Sequence, residues 1–244
     1  MSSSHTPTST ENKSVDSQSA TARPSISRAA DDEKKRRYKP GKIRDQNFQH
    51  IVDAAETEFA LNGFGGTSTQ KIADRAGLAK ANIHYYFSSK EKLYLRVLNN
   101  IIHLWNDYFD EIRVEDDPAE VLDKFIRTKV QLAYSHPSPS KLFAREIIQG
   151  APHLHEYIRK EMRTWVRTRA TVLEKWMDEG KMARVDPYHL IFMIWASTQH
   201  YADFETQVLT VMNHAEYEDE MIEHIADFLG EIILTGCGLT PPGK

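Results

Sequence analysis

From Arg44 onward the chain is patterned for helices. Ile51, Ala54, Ala55, Phe59 and Leu61 recur at helical spacing and predict an apolar stripe on a first helix. Asn62-Gly63 predicts its end, because glycine takes the left-handed conformation of a helix C-terminus without a steric penalty. Further amphipathic stretches run at about 90–112, 118–134, 140–149, 153–179, 187–212 and 216–234. Turn-rich separators divide them: Asp116-Asp117-Pro118, His136-Pro137-Ser138-Pro139, Gly150-Ala151-Pro152, Gly180 and Asp186-Pro187. No stretch alternates as a strand would, and no internal repeat is visible. The pattern predicts an all-α protein.

One stretch departs from simple amphipathicity. Leu190 to Ala196 is apolar all the way round, which predicts burial on every face. Ser197, Thr198, Gln199 and His200 continue that helix with polar groups. A buried glutamine needs partners for both its carbonyl and its amide donors. Either neighbouring helices supply them, or Gln199 offers a donor–acceptor pair to a planar ligand. Trp105 could form an apolar wall for such a ligand or could be plain core, and spacing does not decide between the two.

The sharpest local signal lies between Thr67 and Phe87. Thr67 and Gln70 are spaced as a capping box, so a helix is expected to start there. Ile72, Ala73 and Ala76 give it a narrow apolar face, and the small residues there let a second helix approach closely. Gly77 supplies a tight turn and Leu78 returns to the core. A short helix from about Lys80 to Phe87 follows, with Ile83 and Phe87 inward and Lys80, Asn82, His84, Tyr85 and Tyr86 on the surface. That is helix-turn-helix logic, in which the second helix enters the major groove of DNA. An ordinary helical hairpin would leave two tyrosines and a histidine exposed beside Lys80 and Lys90 for no purpose.

Charge sharpens this picture. The net charge is -4, yet residues 34–98 hold 13 Lys and Arg against 6 Asp and Glu, whereas residues 99–244 hold 15 against 24. A basic block before an acidic body suggests that one end meets a polyanion. Lys34, Lys35, Arg36 and Arg37 begin a dense basic arm placed to track phosphates or enter the minor groove. Residues 1–33 are Ser/Thr-rich, with no apolar residue larger than Val15 and Ile26 beyond Met1, and are expected to be disordered. A lone cysteine, Cys237, excludes an intramolecular disulfide framework. No run approaches the roughly 18 apolar residues of a membrane span, and no secretory signal is visible. The expected location is the cytoplasm.

The residues 51–59 (IVDAAETEF), Asn62-Gly63-Phe64, Thr67, Ile72-Ala73, Ala76-Gly77 and 85–93 (YYFSSKEKL) resemble the N-terminal domain of the TetR family. The resemblance implies a three-helix DNA-binding domain, a linking fourth helix, and a C-terminal bundle that dimerises and binds an inducer. Carried onto matching positions, it implies that Lys80, Ala81, Asn82, His84 and Tyr86 face the groove. Thr69, Gln70, Tyr85 and Lys90 would reach the backbone or flanking bases. Ala79 stands where the family usually has Ser or Thr, and His84 where Tyr is common. The stretch 189–204 (HLIFMIWASTQHYADF), with 143–152 (FAREIIQGAP), Gly180-Lys181-Met182-Ala183 and Asp186-Pro187, is similar to the RutR-type regulators of pyrimidine utilisation. That implies uracil or a related pyrimidine as ligand, with Trp105, Trp195 and Gln199 as ligand-binding positions.

The resulting expectation is a tail over 1–33, an arm over 34–43, a helix-turn-helix domain over 44–90, a ligand-binding and dimerisation domain over 91–235, and a flexible end over 236–244. Its function is that of a homodimeric repressor released from a double-stranded DNA operator by a pyrimidine, with no cofactor, no metal and no membrane partner. A TetR-like regulator of another inducer is the alternative. A helical enzyme using His153 with His155, or His200 with Asp203, is a further one. No His-Glu-x-x-His, glycine-rich phosphate loop or nucleophile elbow supports the enzyme.

Overall fold

The structure, a computed structural model, describes residues 40–106 and 109–243. The tail over 1–33 and the basic residues Lys34, Lys35, Arg36 and Arg37 lie outside the described residues. Every regular element among the described residues is helical. Helix α1 spans Pro40–Gly66, broken at Gly63, whose φ of 69° and ψ of 176° only glycine adopts readily. Ile51, Ala54, Ala55 and Phe59 are buried along it, but Leu61 is 64% exposed. Two residues past Phe59 is more than half a turn of helix, so Leu61 points away from the stripe.

Helix α2 spans Thr69–Ala76 and α3 spans Lys80–Tyr86. The cap of α2 is Ser68, whose hydroxyl accepts from the Lys71 N–H, and not Thr67 as the spacing predicted. Thr67 is buried and donates its hydroxyl to the Glu58 carbonyl, while Gln70 bonds Asp74 instead of reaching back. Gly77 takes the left-handed turn at φ 67°. The buried Glu58 carboxylate accepts from Arg75 at 2.7 Å and Asn62 at 3.0 Å, fixing α1 to α2.

Helix α4 spans Lys90–Asn106, and turns occupy residues 109–111, so it does not run on to Ile112. Helix α5 spans Pro118–Ser135 and α6 spans Pro137–Ile148. The stretch expected as one helix over 153–179 is continuous over residues 155–178, as α7 at His155–Tyr157, a π-turn at Ile158–Met162 and α8 at Arg163–Asp178, with helical backbone at both joins. The stretch over 187–212 breaks at Phe204 into α9, Pro187–Asp203, and α10, Glu205–Met212. Helix α11 spans Asp219–Gly236. Asp117 and Asp186 cap α5 and α9, each followed by a proline that has no N–H to leave unsatisfied. Beyond α11 the chain docks again, since Cys237 is buried and its carbonyl accepts from the Ala183 N–H at 2.8 Å.

Among the described residues, two apolar cores form. One joins α5, α8, α9 and α11 around Phe109, Phe125 and Trp176. The other joins α1 to α4, and Leu142, Ala151 and Leu154 complete it from the C-terminal half. The helix-turn-helix core is therefore closed by residues beyond position 90. On α9, Leu190, Ile191 and Ile194 are buried, whereas Phe192 and Met193 are each 47% exposed in the single chain, on the outer side that a dimer mate is expected to cover. Phe228 and Ile232 on α11 are similarly exposed.

Candidate functional site

The outer surface of α3 is built by its register. Ile83 is buried and Phe87, just after the helix, faces inward with it. Lys80, Ala81 and His84 are exposed, and Tyr85 is 70% exposed. Tyr86 is half-buried, edge-on to Phe48 at 6.1 Å, and Tyr85 stands perpendicular to it at 5.0 Å. Asn82 and Thr69 are half-buried, and Gln70 is exposed with its amide on Asp74. The result is a rigid polar-aromatic edge carrying amide, imidazole, phenol and ammonium groups, the chemistry that reads base edges and phosphates. Ala79 offers α3 no side-chain cap. Lys90 stands apart: its ammonium donates to the Phe64 carbonyl at 2.8 Å and the Thr67 carbonyl at 3.0 Å, and sits 4.2 Å from the centre of the Phe64 ring. Two of its three donors thus hold the loop before α2.

A cleft of about 620 Å³ lies between α1, α6 and the end of α9. Ala60 of α1, Phe143, Arg145 and Ile148 of α6, and Gln199 and Asp203 of α9 line it. Of the three expected ligand-binding residues, Gln199 lines this cleft. Trp105 does not; it is buried behind it, edge-on to Phe143 at 5.1 Å. Trp195 packs elsewhere, against Trp165 at 5.9 Å and Phe192 at 5.8 Å. Gln199 is half-buried rather than enclosed, so its amide is open to the cleft.

Sequence reasoning passed over Lys129, Ser140 and Phe143 near this cleft. Lys129 is 4% exposed on α5, with its ammonium 4.6 Å over the Trp105 ring. Burial pulls it down to about 7, and the Asp203 carboxylate acts the other way. Asp203 accepts from the buried Ser140 hydroxyl at 2.6 Å. Burial raises its pKa above the ordinary carboxylate value, against Ser140 and Lys129, which lower it. Both members of this pair are pushed toward neutrality, so desolvation outweighs their mutual attraction. Of this group Asp203 lines the cleft, whereas Lys129 and Ser140 are buried. Helical spacing gave no sign of Lys129, which reads as one more solvated lysine until α4 and α9 cover it.

The candidate enzymatic pairs do not assemble a reaction centre. His153 contacts a buried glutamate, while His200 is exposed and stacked on Phe204 at 4.9 Å.

Residues 51–97 match the family described as bacterial regulatory proteins, tetR family, and residues 98–240 match the C-terminal region of YcdC-like proteins. The chain is 37% identical over 186 residues to the HTH-type transcriptional regulator RutR of Escherichia coli strain K12, covering 76% of this chain and 88% of that one. Its fold is similar to that of the transcriptional regulator FadR from Bacillus subtilis in complex with stearoyl-CoA, with a TM-score of 0.57, 20% identity, and coverage of 78% and 98%. It is also similar to AibR in complex with isovaleryl coenzyme A and operator DNA, with a TM-score of 0.59, 18% identity, and coverage of 76% and 97%.

Proposed function

The chain belongs to the TetR family of bacterial regulators, and on that premise we propose that it is a dimeric repressor that a pyrimidine such as uracil releases from its operator. It is a transcriptional regulator similar to RutR, and its relatives are regulators rather than enzymes. The observation that carries the finer part is the position of Gln199. Its carboxamide opens into a cleft whose walls include the flat ring of Phe143 and, across from it, Ala60 of the DNA-binding half. Uracil presents an imide edge that alternates acceptor, donor and acceptor, which a carboxamide can match with one donor and one acceptor. A ligand held there touches both halves of the chain at once.

DNA binding would use the outer edge of α3, with Lys80, Ala81, Asn82, His84 and Tyr86 toward the groove and Thr69, Gln70 and Tyr85 toward the backbone. Lys90 would act chiefly by holding the loop before α2, with one donor left for phosphate. The arm at Lys34, Lys35, Arg36 and Arg37 would add sequence-independent affinity. Dimerisation would cover the exposed apolar faces of α9 and α11, since a monomer rarely leaves Phe192, Met193, Phe228 and Ile232 in water together. Two recognition helices would then meet successive half-sites. Ligand changes DNA affinity only by its own preference for one of the two arrangements.

A second reading has its own observation: Lys141 and Arg145 stand at a cleft roomier than one pyrimidine ring needs. It takes a larger, acidic ligand there. Thermal unfolding against uracil, thymine, cytosine, purines and acyl carboxylates separates the two. At about a hundred times its dissociation constant, a native-state ligand adds roughly 2.7 kcal/mol, a rise of about 5–10 °C in the midpoint. A shift with uracil that Gln199→Ala removes is the expected result. A shift with a carboxylate alone would replace the pyrimidine.

A further inference from the structure

We infer that Glu146 is the positioning residue that transmits occupancy of the cleft to the DNA-binding helices, an assignment that rests on the ligand-gated reading above. Glu146 is 1% exposed on α6, the helix that gives the cleft Phe143, Arg145 and Ile148 from its other side. Its carboxylate gathers groups from two segments beyond α6. Oε2 accepts from the Tyr94 hydroxyl of α4 at 3.0 Å and lies 3.2 Å from His153 Nδ1. Oε1 accepts from the backbone N–H of His153 at 2.6 Å and of Leu154 at 3.2 Å.

The groups it gathers grip the DNA-binding half directly. The rings of Tyr94 and His153 pack on Phe64 at 5.0 and 4.4 Å, and Tyr94 also meets Phe59 at 4.8 Å. Phe64 follows the break in α1, and its carbonyl shares the Lys90 ammonium with that of Thr67, just ahead of α2. Arg145, a wall of the cleft, reaches the same break: its Nη1 is 3.1 Å from where a side chain on Gly63 would begin. Movement of α6 therefore shifts Phe64, and with it the start of the helix-turn-helix.

The corner after α6 is held under strain. Gly150 and Ala151 both hold positive φ, at 88° and 54°. Ala151 also precedes Pro152, which disfavours helical backbone at that position. A non-glycine residue keeps such a conformation only where its surroundings enforce it. Here the Glu146 backbone carbonyl takes the Ala151 N–H at 2.8 Å, and the Glu146 carboxylate takes the next two available donors. One residue thus secures the strained corner and the contact with α4, and displacing it releases both.

Coupling free energies are reciprocal, so on this assignment DNA bound at α3 is expected to change the corner just as ligand in the cleft changes α3. Hydrogen exchange of the full chain, with and without a duplex that it selects from a random pool, reads this without any small molecule. In the wild type, DNA is expected to change the protection of the His153 and Leu154 amides. In Glu146→Gln that change is expected to be lost while DNA still protects α2 and α3. Tyr94→Phe, which removes one donor and leaves the corner bonded, should weaken the change and serves if Glu146→Gln does not fold. A wild-type corner indifferent to DNA, or a Glu146→Gln variant that responds as the wild type does, overturns the assignment. A parallel arm with uracil keeps the readings apart: no response to uracil with an intact DNA response removes the pyrimidine and leaves Glu146 in place.

Discussion

Lys129 sits on α5 with an ammonium over the Trp105 ring, and its energetics can be read from solution pH. Its folded value lies near 7 against an ordinary 10.5. Below pH 7 the side chain is charged whether folded or unfolded, and the cost of the buried charge is fully present. Between the two values the folded state has released a proton that the unfolded state keeps, so stability rises with pH across this window. Lys129→Met removes that slope. Between about pH 6 and about pH 9 the wild type should gain on the order of 2–3 kcal/mol more unfolding free energy than the variant, measured by denaturant titration. Parallel pH profiles would contradict the account of this residue. Other residue-level readings were lost for a related reason. The capping-box spacing pointed to Thr67, but the Glu58 carbonyl nine residues back claims its hydroxyl and leaves Ser68 as the cap. Spacing along one helix is silent about a partner on another, so neither Lys129 nor Glu146 stood out.

At the scale of elements the helix-turn-helix was legible almost throughout. Gly77, the small face of α2 and the paired Ile83 and Phe87 constrain local geometry with little help from elsewhere. The long C-terminal stretches were legible as helices but not as irregular ones. The π-turn at Ile158–Met162 and the break at Phe204 keep helical hydrophobic spacing on both sides, so periodicity runs through them unmarked. The fully apolar run on α9 was the more informative feature. Its buried side is satisfied within the chain, and its outer side, continued by Phe228 and Ile232 of α11, awaits a second copy under the proposed function. Phe228→Glu combined with Ile232→Glu should leave helicity intact and convert the dimer to monomer in sedimentation velocity. A variant that sediments as the wild type does would place the dimer interface elsewhere.

For the whole molecule, charge and architecture divide the work. The basic stretch over 34–98 carries a net +7 and the acidic remainder over 99–244 a net -9, so a polyanion is drawn to one end and repelled by the other. The cleft lies where the two halves meet, walled by Ala60 from one and by Phe143 and Gln199 from the other. Of the three positions the sequence offered for a ligand, Gln199 lines this cleft, whereas Trp105 packs edge-on to Phe143 and Trp195 packs against Trp165. A regulator so arranged must hold DNA with different strength in its free and bound forms. The most direct test is the dissociation constant for a selected operator duplex, measured by fluorescence anisotropy at one fixed salt concentration with and without saturating uracil. The account predicts that uracil weakens binding by about tenfold or more, equivalent to at least about 1.4 kcal/mol of coupling, and that Gln199→Ala abolishes the difference. Equal dissociation constants with and without uracil would contradict it.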